Sequence, residues 1–316
     1  MTVAKLTVAQ AKPGGLSRQV EDYLAHCRAA GLSPKTIRHA YGYPLRSVFL
    51  PWCAEHEVER ISELNNRVLD RFVADLLEHG GRRGQLSKHT AWTYAKATKR
   101  FLAWAKEEGE EVEGQVKLPR LPRRLVETLE REEIQRLADA AQSERDSLIV
   151  RVLADSGIRV GELVRLRRED LIERERSQFL KVLGKGDRQR LVPVAPILYR
   201  RLVRYAERQR PTDTNSDRLF LSRRRSRSSG DYEPLTESGV QQLVRDLAER
   251  AGIKKRVHPH LFRHSAATHM LRRGMNPLLV AQVLGHTSLA MIQSVYSHLT
   301  DLDAHAALIA ALREDA

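Results

Sequence analysis

Cysteine is nearly absent from the 316-residue sequence, in which only Cys27 and Cys53 occur, without a Cys-x-x-Cys pair. This scarcity argues against a structural zinc site and against a disulfide scaffold, and it favours a reducing compartment. No run of about 18 apolar residues is present, so a membrane span is not expected. The opening stretch MTVAKLTVAQAKPGG also lacks the apolar segment of a secretory signal. The sequence therefore predicts a cytoplasmic protein.

Acidic residues are too few to balance the basic ones, and the net charge is +14. Residues 1–124 carry 21 basic and 14 acidic side chains, and residues 125–316 carry 33 and 26, so each part has a net charge of +7. A protein that grips double-stranded DNA from two sides has such a distribution. A generic basic surface is the alternative on charge alone. The hydrophobic fraction of 41% is sufficient for a packed core.

Two helix starts led by serine organise the first half of the chain. Ser33-Pro34 and Ser87-Lys88 each place serine at the N-cap, and proline suits the first turn. Both predicted helices contain a Phe-x-x-Trp pattern, whose aromatic side chains we place in the core: Phe49, Trp52, Phe101 and Trp104. The basic residues on the outer faces suit a DNA backbone or a solvated surface: Lys35, Arg38, Arg46, Lys88, Lys96, Lys99 and Arg100.

The second half begins after a linker that contains two prolines, at 113–128. A helix start is predicted at 129–134, where acidic residues occupy the first turn. Residues 178–194 alternate around a Gly-Lys-Gly-Asp turn, which predicts a β-hairpin. Residues 222–231, SRRRSRSSGD, are interpreted as a flexible basic loop. The predicted fold is mainly α, with a small β-hairpin or sheet in the second of two domains.

Four separated stretches carry side chains suited to phosphate chemistry. In ADSGIRVGELVRL, Gly157 breaks one helix and Arg159 falls at the N-terminus of the next, where unpaired N–H groups favour an anion. Glu162, one turn later, is placed to hold Arg159. In GKGDRQR, Lys185 occupies the predicted hairpin tip, and its reference pKa of about 10.4 keeps it protonated. Taken singly, a surface ion pair and a solubilising lysine explain these residues equally well.

The third stretch, HPHLFRHSAATHM, brings His260 and Arg263 together near a helix start that Pro259 favours. His260 and His264 have the i,i+4 spacing of a zinc-binding helix. However, Leu261 stands where a metalloprotease has glutamate, and no cysteine or acidic cluster completes a metal site. We therefore expect no metal and no cofactor here.

The fourth stretch is LGHTSLAMIQSVYSHL. Gly285 ends a predicted helix, His286 begins the turn that follows, and Tyr296 lies near the end of the next helix. A phenol with a reference pKa of about 10 needs activation before it acts as a nucleophile. A capping histidine and an ordinary half-buried helix tyrosine are the alternatives for these two residues.

Taken in order, SGIRVGEL, GKGDRQRLVPV, HPHLFRHSAATHML and LGHTSLAMIQSVYSHL resemble the tyrosine recombinases of the phage integrase family. SPKT…FLPW and SKHT…FLAW resemble the core-binding domain of that family, so the resemblance begins near residue 17. It implies a flexible tail at 1–16, a helical, SAM-like core-binding domain at 17–112, a linker at 113–128, and a catalytic domain with a C-terminal helix at 129–316.

The resemblance also implies roles for individual side chains. Two arginines of the family bind the non-bridging oxygens of the scissile phosphate, and they match Arg159 and Arg263. The hairpin lysine of the family matches Lys185 and is expected to protonate the departing 5′-oxygen. Positive charge of this kind stabilises a pentacoordinate phosphorus, so neither Mg²⁺ nor ATP is expected to take part.

The remaining catalytic positions match His260, His286 and Tyr296. The resemblance implies that His260 accepts the phenol proton, that His286 hydrogen-bonds to the phosphate and that Tyr296 is the nucleophile. Members of the family form a 3′-phosphotyrosyl link and exchange strands through a Holliday junction within a tetramer. A type IB-like topoisomerase and a non-catalytic DNA-binding regulator on the same scaffold are the alternatives.

The C-terminal stretch DLDAHAALIAALRE predicts a short amphipathic helix. The resemblance favours docking of this helix onto a neighbouring protomer over packing against its own domain. The apolar stripe consists of Leu302, Ala306, Ile309, Ala310 and Leu312. The DNA target, and the choice between chromosome dimer resolution, phage integration and transposon resolution, do not follow from the sequence.

Overall fold

Two units, Met1–Arg123 and Arg124–Ala316, make up the chain. The computed structural model describes residues 15–78, 85–121, 127–184, 189–285 and 309. Helices dominate both units and the strands form small antiparallel sheets, so the predicted fold class is confirmed. Among the described residues, no helix is both long enough and apolar enough to span a membrane.

The first unit is helical. Its elements are α1 (Leu16–Ala29), α2 (Pro34–Thr36), two π-helical stretches (Ile37–Gly42 and Leu45–Phe49), α3 (Leu50–Glu55), a 3₁₀ turn (Ile61–Glu63), α4 (Asn66–Glu78) and α5 (Lys88–Glu107). Both predicted N-caps are confirmed, since Ser33 accepts from the Thr36 N–H at 3.1 Å and Ser87 accepts from the Thr90 N–H at 3.2 Å.

The helical run from α2 to α3 contains Pro44 and Pro51, which the prediction of one regular α-helix did not take into account. A proline inside a helix removes one N–H donor and crowds the carbonyl four residues earlier. The two π-helical stretches lie next to these prolines, Pro44 immediately before the second stretch and Pro51 shortly after it. Wider turns of this kind relieve the crowding and keep the run continuous.

Aromatic side chains form the core of the first unit, as predicted. Phe49 and Phe101 are fully buried with ring centroids 6.3 Å apart, and Phe49 also contacts Phe72 at 5.2 Å. Trp52 is buried, and Trp104 is partly buried against the same cluster.

Two segments next to the predicted boundaries of this unit pack on it. Leu16, assigned to the flexible tail, is buried and begins α1. The first part of the predicted linker also packs on this unit. Val116 is buried, the Gln115 N–H donates to Asn66 at 2.8 Å, and Lys117 lies 3.1 Å from Asp70.

In the second unit, helices pack against a three-stranded antiparallel sheet, and two further strands form a separate two-stranded sheet. In chain order its elements are α6 (Arg131–Asp139), α7 (Glu144–Ser156), α8 (Val160–Leu163), a 3₁₀ turn (Arg168–Asp170), β1 (Leu171–Arg174), β2 (Ser177–Leu183), β3 (Gln189–Pro193), α9 (Pro196–Arg208), β4 (Leu221–Arg225), β5 (Tyr232–Pro234), α10 (Glu237–Arg250), α11 (Pro259–Arg272) and α12 (Pro277–Leu284). The predicted hairpin is confirmed as β2 and β3, and β1 pairs with the other edge of β2.

The prediction of a flexible loop at 222–231 is wrong for its first four residues, 222–225. Leu221–Arg225 forms β4, which pairs antiparallel with β5. Arg223 and Arg225 on β4 form ion pairs with Asp146 and Asp213, and Arg225 also lies over a tyrosine ring of β5. Because acidic partners neutralise these arginines, the basic run can adopt a paired strand.

Candidate active site

Three of the six predicted catalytic residues belong to the described part of the chain: Arg159, His260 and Arg263. Lys185, His286 and Tyr296 lie outside the described residues. The site is therefore built from the two arginines, their partners, and the elements that carry them.

Arg159 lies at the junction where α7 ends and α8 begins. Gly157 ends α7 in the left-handed region, with φ of 62°, and Arg159 is the N-cap of α8. The backbone N–H of Arg159 donates to Oε2 of Glu162 at 2.8 Å, and its Nη1 donates to Oε1 at 3.0 Å. Its Nη2 donates to the Gly285 carbonyl at 3.1 Å. The predicted role of Glu162 in holding Arg159 is confirmed, and the Arg159 side chain stays 39% exposed.

Arg263 lies in the second turn of α11, whose N-cap is His258 and whose first residue is Pro259. Arg263 is only 3% exposed. Nη1 donates to the Gly157 carbonyl at 2.8 Å, and Nη2 donates to the Leu284 carbonyl at 2.7 Å. Burial, followed by the neighbouring charge of Arg159, lowers the pKa of Arg263 to about 9, so the side chain is protonated at neutral pH.

The C-terminal end of α12 holds three guanidiniums. The carbonyls of its last two residues and of its C-cap accept from three different arginines: Val283 from Arg190, Leu284 from Arg263, and Gly285 from Arg159. The last carbonyls of a helix have no partner within the helix and carry its partial negative charge, so they attract cations. This shared support brings Arg159 and Arg263 together, although they are far apart in sequence.

Glu162 is the carboxylate of this cluster and is only 4% exposed. It accepts two hydrogen bonds from Arg159, and Arg190 binds it through both nitrogens of its fork, at 2.8 and 2.9 Å. Burial acts to raise the pKa of Glu162, but the bonds from Arg190 and Arg159 outweigh it, and the pKa is lowered. Glu162 is thus an anion at neutral pH.

Arg190 is a member of the site that the sequence interpretation missed. The alternation of inward and outward residues along β3 is the sequence signal that could have identified it. Arg190 pairs with Val182 and Val192 pairs with Leu180, and all three of these apolar residues are buried. Period-two alternation therefore places Arg190 on the inward face of β3. Burying a charged side chain is costly unless it is paired with an opposite charge, and Glu162 is the partner of Arg190.

His260 and His269 of α11 have different surroundings. His260 is exposed in the first turn. His269 bonds through Nε2 to the Leu129 carbonyl at 2.9 Å, and Ser265 accepts from the Leu129 N–H at 2.8 Å. These two hydrogen bonds hold Leu129, just before α6, against α11. Within the described residues, no group of three or more His, Cys, Asp or Glu is arranged to hold a metal ion.

The charges of the cluster favour an anion. Three guanidiniums and one carboxylate leave two positive charges in excess, beside the exposed part of Arg159. Arginine presents planar donors that suit phosphate oxygens. A phosphodiester carries one negative charge, and a pentacoordinate phosphorus formed by attack of an oxyanion carries two. The excess charge matches the second state.

Comparisons with known proteins agree with this chemistry. The model of the phage integrase family matches residues 127–302. Tyrosine recombinase XerA of Thermococcus onnurineus is 31% identical over 288 residues, which cover 90% of this chain and 92% of the relative. Tyrosine recombinase XerC of Xanthomonas campestris pv. campestris is 31% identical over 287 residues, covering 89% and 84%.

Solved structures show the same fold. A crystal structure of XerA recombinase has a TM-score of 0.51 at 28% identity, covering 93% of this chain and 98% of that one. XerH recombinase in a post-cleavage complex with a palindromic difH substrate has a TM-score of 0.69 at 20% identity, covering 93% and 83%. A lambda integrase tetramer bound to a Holliday junction has a TM-score of 0.64 at 16% identity, covering 89% and 76%. With a family match over more than half of its length, the chain belongs to the phage integrase family and is a tyrosine recombinase, an enzyme that breaks and rejoins DNA strands.

Proposed function

We propose that the chain recombines two DNA sites through a covalent 3′-phosphotyrosyl intermediate and a Holliday junction, acting as a homotetramer. The observation that carries this proposal is the convergence of Arg159 and Arg263 on adjacent carbonyls at the end of α12. Both guanidiniums are thereby fixed in place before a phosphate arrives, and fixed donors stabilise developing charge without reorganisation.

In the proposed reaction, the Tyr296 oxygen attacks the scissile phosphorus and forms a P–O bond. The bond from phosphorus to the 5′-oxygen breaks, and its electron pair leaves on that oxygen. Lys185 supplies the proton that converts the leaving oxygen to a hydroxyl, and His260 accepts the proton of the phenol. His286 donates a hydrogen bond to the phosphate. Rejoining reverses these steps with a 5′-hydroxyl from the partner strand.

The relatives support the assembly proposed for this chain. Lambda integrase has been solved as a tetramer on a Holliday junction, and XerH has been solved on its substrate before and after cleavage. We further propose that the C-terminal helix docks on a neighbouring protomer. Most of that segment lies outside the described residues, but Ile309 is helical and exposed.

The Tyr296→Phe variant tests the nucleophile. A random duplex library incubated with the wild-type enzyme is screened for DNA that stays attached to protein in denaturing detergent, and the recovered sequence becomes the substrate. We expect Tyr296→Phe to bind this duplex with unchanged affinity and to form no adduct, because phenylalanine lacks the attacking oxygen.

Tyr199→Phe is the matched control, since it removes a hydroxyl from the same unit on α9, and it should form the adduct at the wild-type rate. An adduct formed by Tyr296→Phe would show that another residue is the nucleophile. A plasmid carrying two recovered sites separates recombination from topoisomerase activity. Recombinant products support the proposal, and relaxation without products favours a topoisomerase.

A further inference from the structure

Arg190 makes three hydrogen bonds inside the cluster. Two join its fork to the carboxylate of Glu162, and the third runs from Nε to the Val283 carbonyl at 3.1 Å. The side chain is 17% exposed, against 39% for Arg159. A Cβ added to Gly285 would stand 2.7 Å from the Arg190 guanidinium carbon, which shows how closely the helix end packs on this arginine.

The effect of Arg190 on Arg159 follows from their shared carboxylate. Glu162 is buried and ionised, and each of its two oxygens accepts a hydrogen bond from both arginines. If Arg190 were absent, the whole negative charge would fall on Arg159, and the local excess would drop from two positive charges to one. In a partly buried site, charges interact more strongly than in water, so this loss reaches the phosphate.

We propose that Arg190 is a positioning residue of the recombination reaction, which neutralises Glu162 so that Arg159 keeps its positive charge for the scissile phosphate. This inference rests on the proposed function. Arg190 does not touch the phosphate; it acts through Glu162 and through the end of α12.

A double-mutant cycle separates this role from a simple packing role. Arg190→Met removes the counter-ion, Glu162→Gln removes the carboxylate, and the double variant removes both and restores the excess of two positive charges. We expect Arg190→Met to slow adduct formation on the recovered duplex on the order of tenfold. The double variant should recover most of that loss, because neither charge is then left uncompensated.

Arg201→Met is the matched control. Arg201 forms the same two-pronged pair with Glu144, at 2.9 Å for both bonds, on α9 of the same unit. Its loss should leave the rate of adduct formation unchanged. If the double variant is as slow as Arg190→Met or slower, the neutralising role is overturned, since a packing role predicts that two lost side chains cost at least as much as one.

If Arg190→Met does not fold, Arg190→Lys replaces it, because lysine keeps the charge but loses the fork. A near-normal rate for Arg190→Lys supports neutralisation, and a collapse of the rate overturns it.

A second measurement does not depend on DNA cleavage. Inorganic phosphate is titrated against each variant at constant ionic strength, and the rise in melting temperature gives its apparent Kd. Arg190→Met should weaken phosphate binding on the order of tenfold and the double variant should restore it. If the wild-type enzyme forms no adduct on any duplex, the proposed function fails, and the phosphate titration alone decides the role of Arg190. Equal phosphate affinity in Arg190→Met and the wild type would overturn the inference.

Discussion

Gly285 contacts two long side chains, those of Arg159 and Arg190, and helps to position both. Its φ of 67° lies in the left-handed region that glycine adopts without strain, its carbonyl binds Arg159, and its α-carbon packs against Arg190. The sequence motif Leu-Gly-His predicts a helix end here, and the structure adds the reason why no larger residue fits.

Gly285→Ala is expected to destabilise the protein by about 1–2 kcal/mol for the positive φ, and by roughly 1–3 kcal/mol more for the contact with Arg190. Gly274→Ala is the matched control, since Gly274 has φ of 79° and an added Cβ would meet nothing within 4 Å. Chemical denaturation of both variants measures the difference. Equal losses would show that Arg190 moves aside at no cost.

At the scale of elements, β3 is the strand that connects the sheet to the site. Its inward positions alternate between Arg190 in the cluster and Val192 in the core, while Leu191 between them faces outward. A shift of one residue in the pairing with β2 would place Leu191 in the cluster and both inward residues in solvent. The register of this hairpin therefore decides whether Glu162 has its second partner.

A pair of threonine substitutions tests this register. Val192→Thr keeps the shape of the side chain but buries a hydroxyl, and we expect a loss of about 1–3 kcal/mol in the free energy of unfolding. Leu191→Thr should lose less than about 1 kcal/mol, because that position is partly exposed. Urea denaturation compares them, and a larger loss at Leu191 would contradict the register.

Elements and site residues marked by local signals were predictable from sequence. The N-caps Ser33 and Ser87 and the helix ends at Gly157 and Gly285 act within a single turn, and all four are confirmed. Their physical causes, a side-chain acceptor or a positive φ, depend only on neighbouring residues.

Features set by distant partners were not predictable in the same way. Arg190 meets Glu162 and Val283 at separations of 28 and 93 residues, and no local pattern names those partners. The sequence of β4 predicts a loop because it is rich in serine and arginine. The strand is stabilised by the pairing of Arg223 with Asp146, which lies 77 residues earlier in the chain. Arg159 and Arg263 were predicted because the motifs mark them individually, whereas their common support on α12 follows only from the fold.

For the whole molecule, the basic charge is shared between the two units rather than concentrated in one. Residues 1–124 and 125–316 have equal net charges of +7, and the division of the chain at 123/124 falls at nearly the same position. We therefore expect each unit to contribute contacts to the DNA backbone.

Affinity for DNA should fall steeply with salt. If about ten phosphates are contacted, the slope of log affinity against log salt concentration is roughly −9. Fluorescence anisotropy of a labelled duplex at a series of salt concentrations measures it, with Tyr296→Phe as the control that binds without reacting. A non-cognate duplex should give a similar slope, because phosphate contacts are independent of sequence. A nearly flat response would contradict binding by both units.

Three consecutive carbonyls at the end of α12 are anchored by arginines from three different elements. Because these carbonyls belong to consecutive residues, a small rotation of that one turn would shift the acceptors of all three guanidiniums at once. Activity is therefore expected to depend on the position of this one turn. A substitution that displaces the end of α12 should weaken the support of all three arginines together.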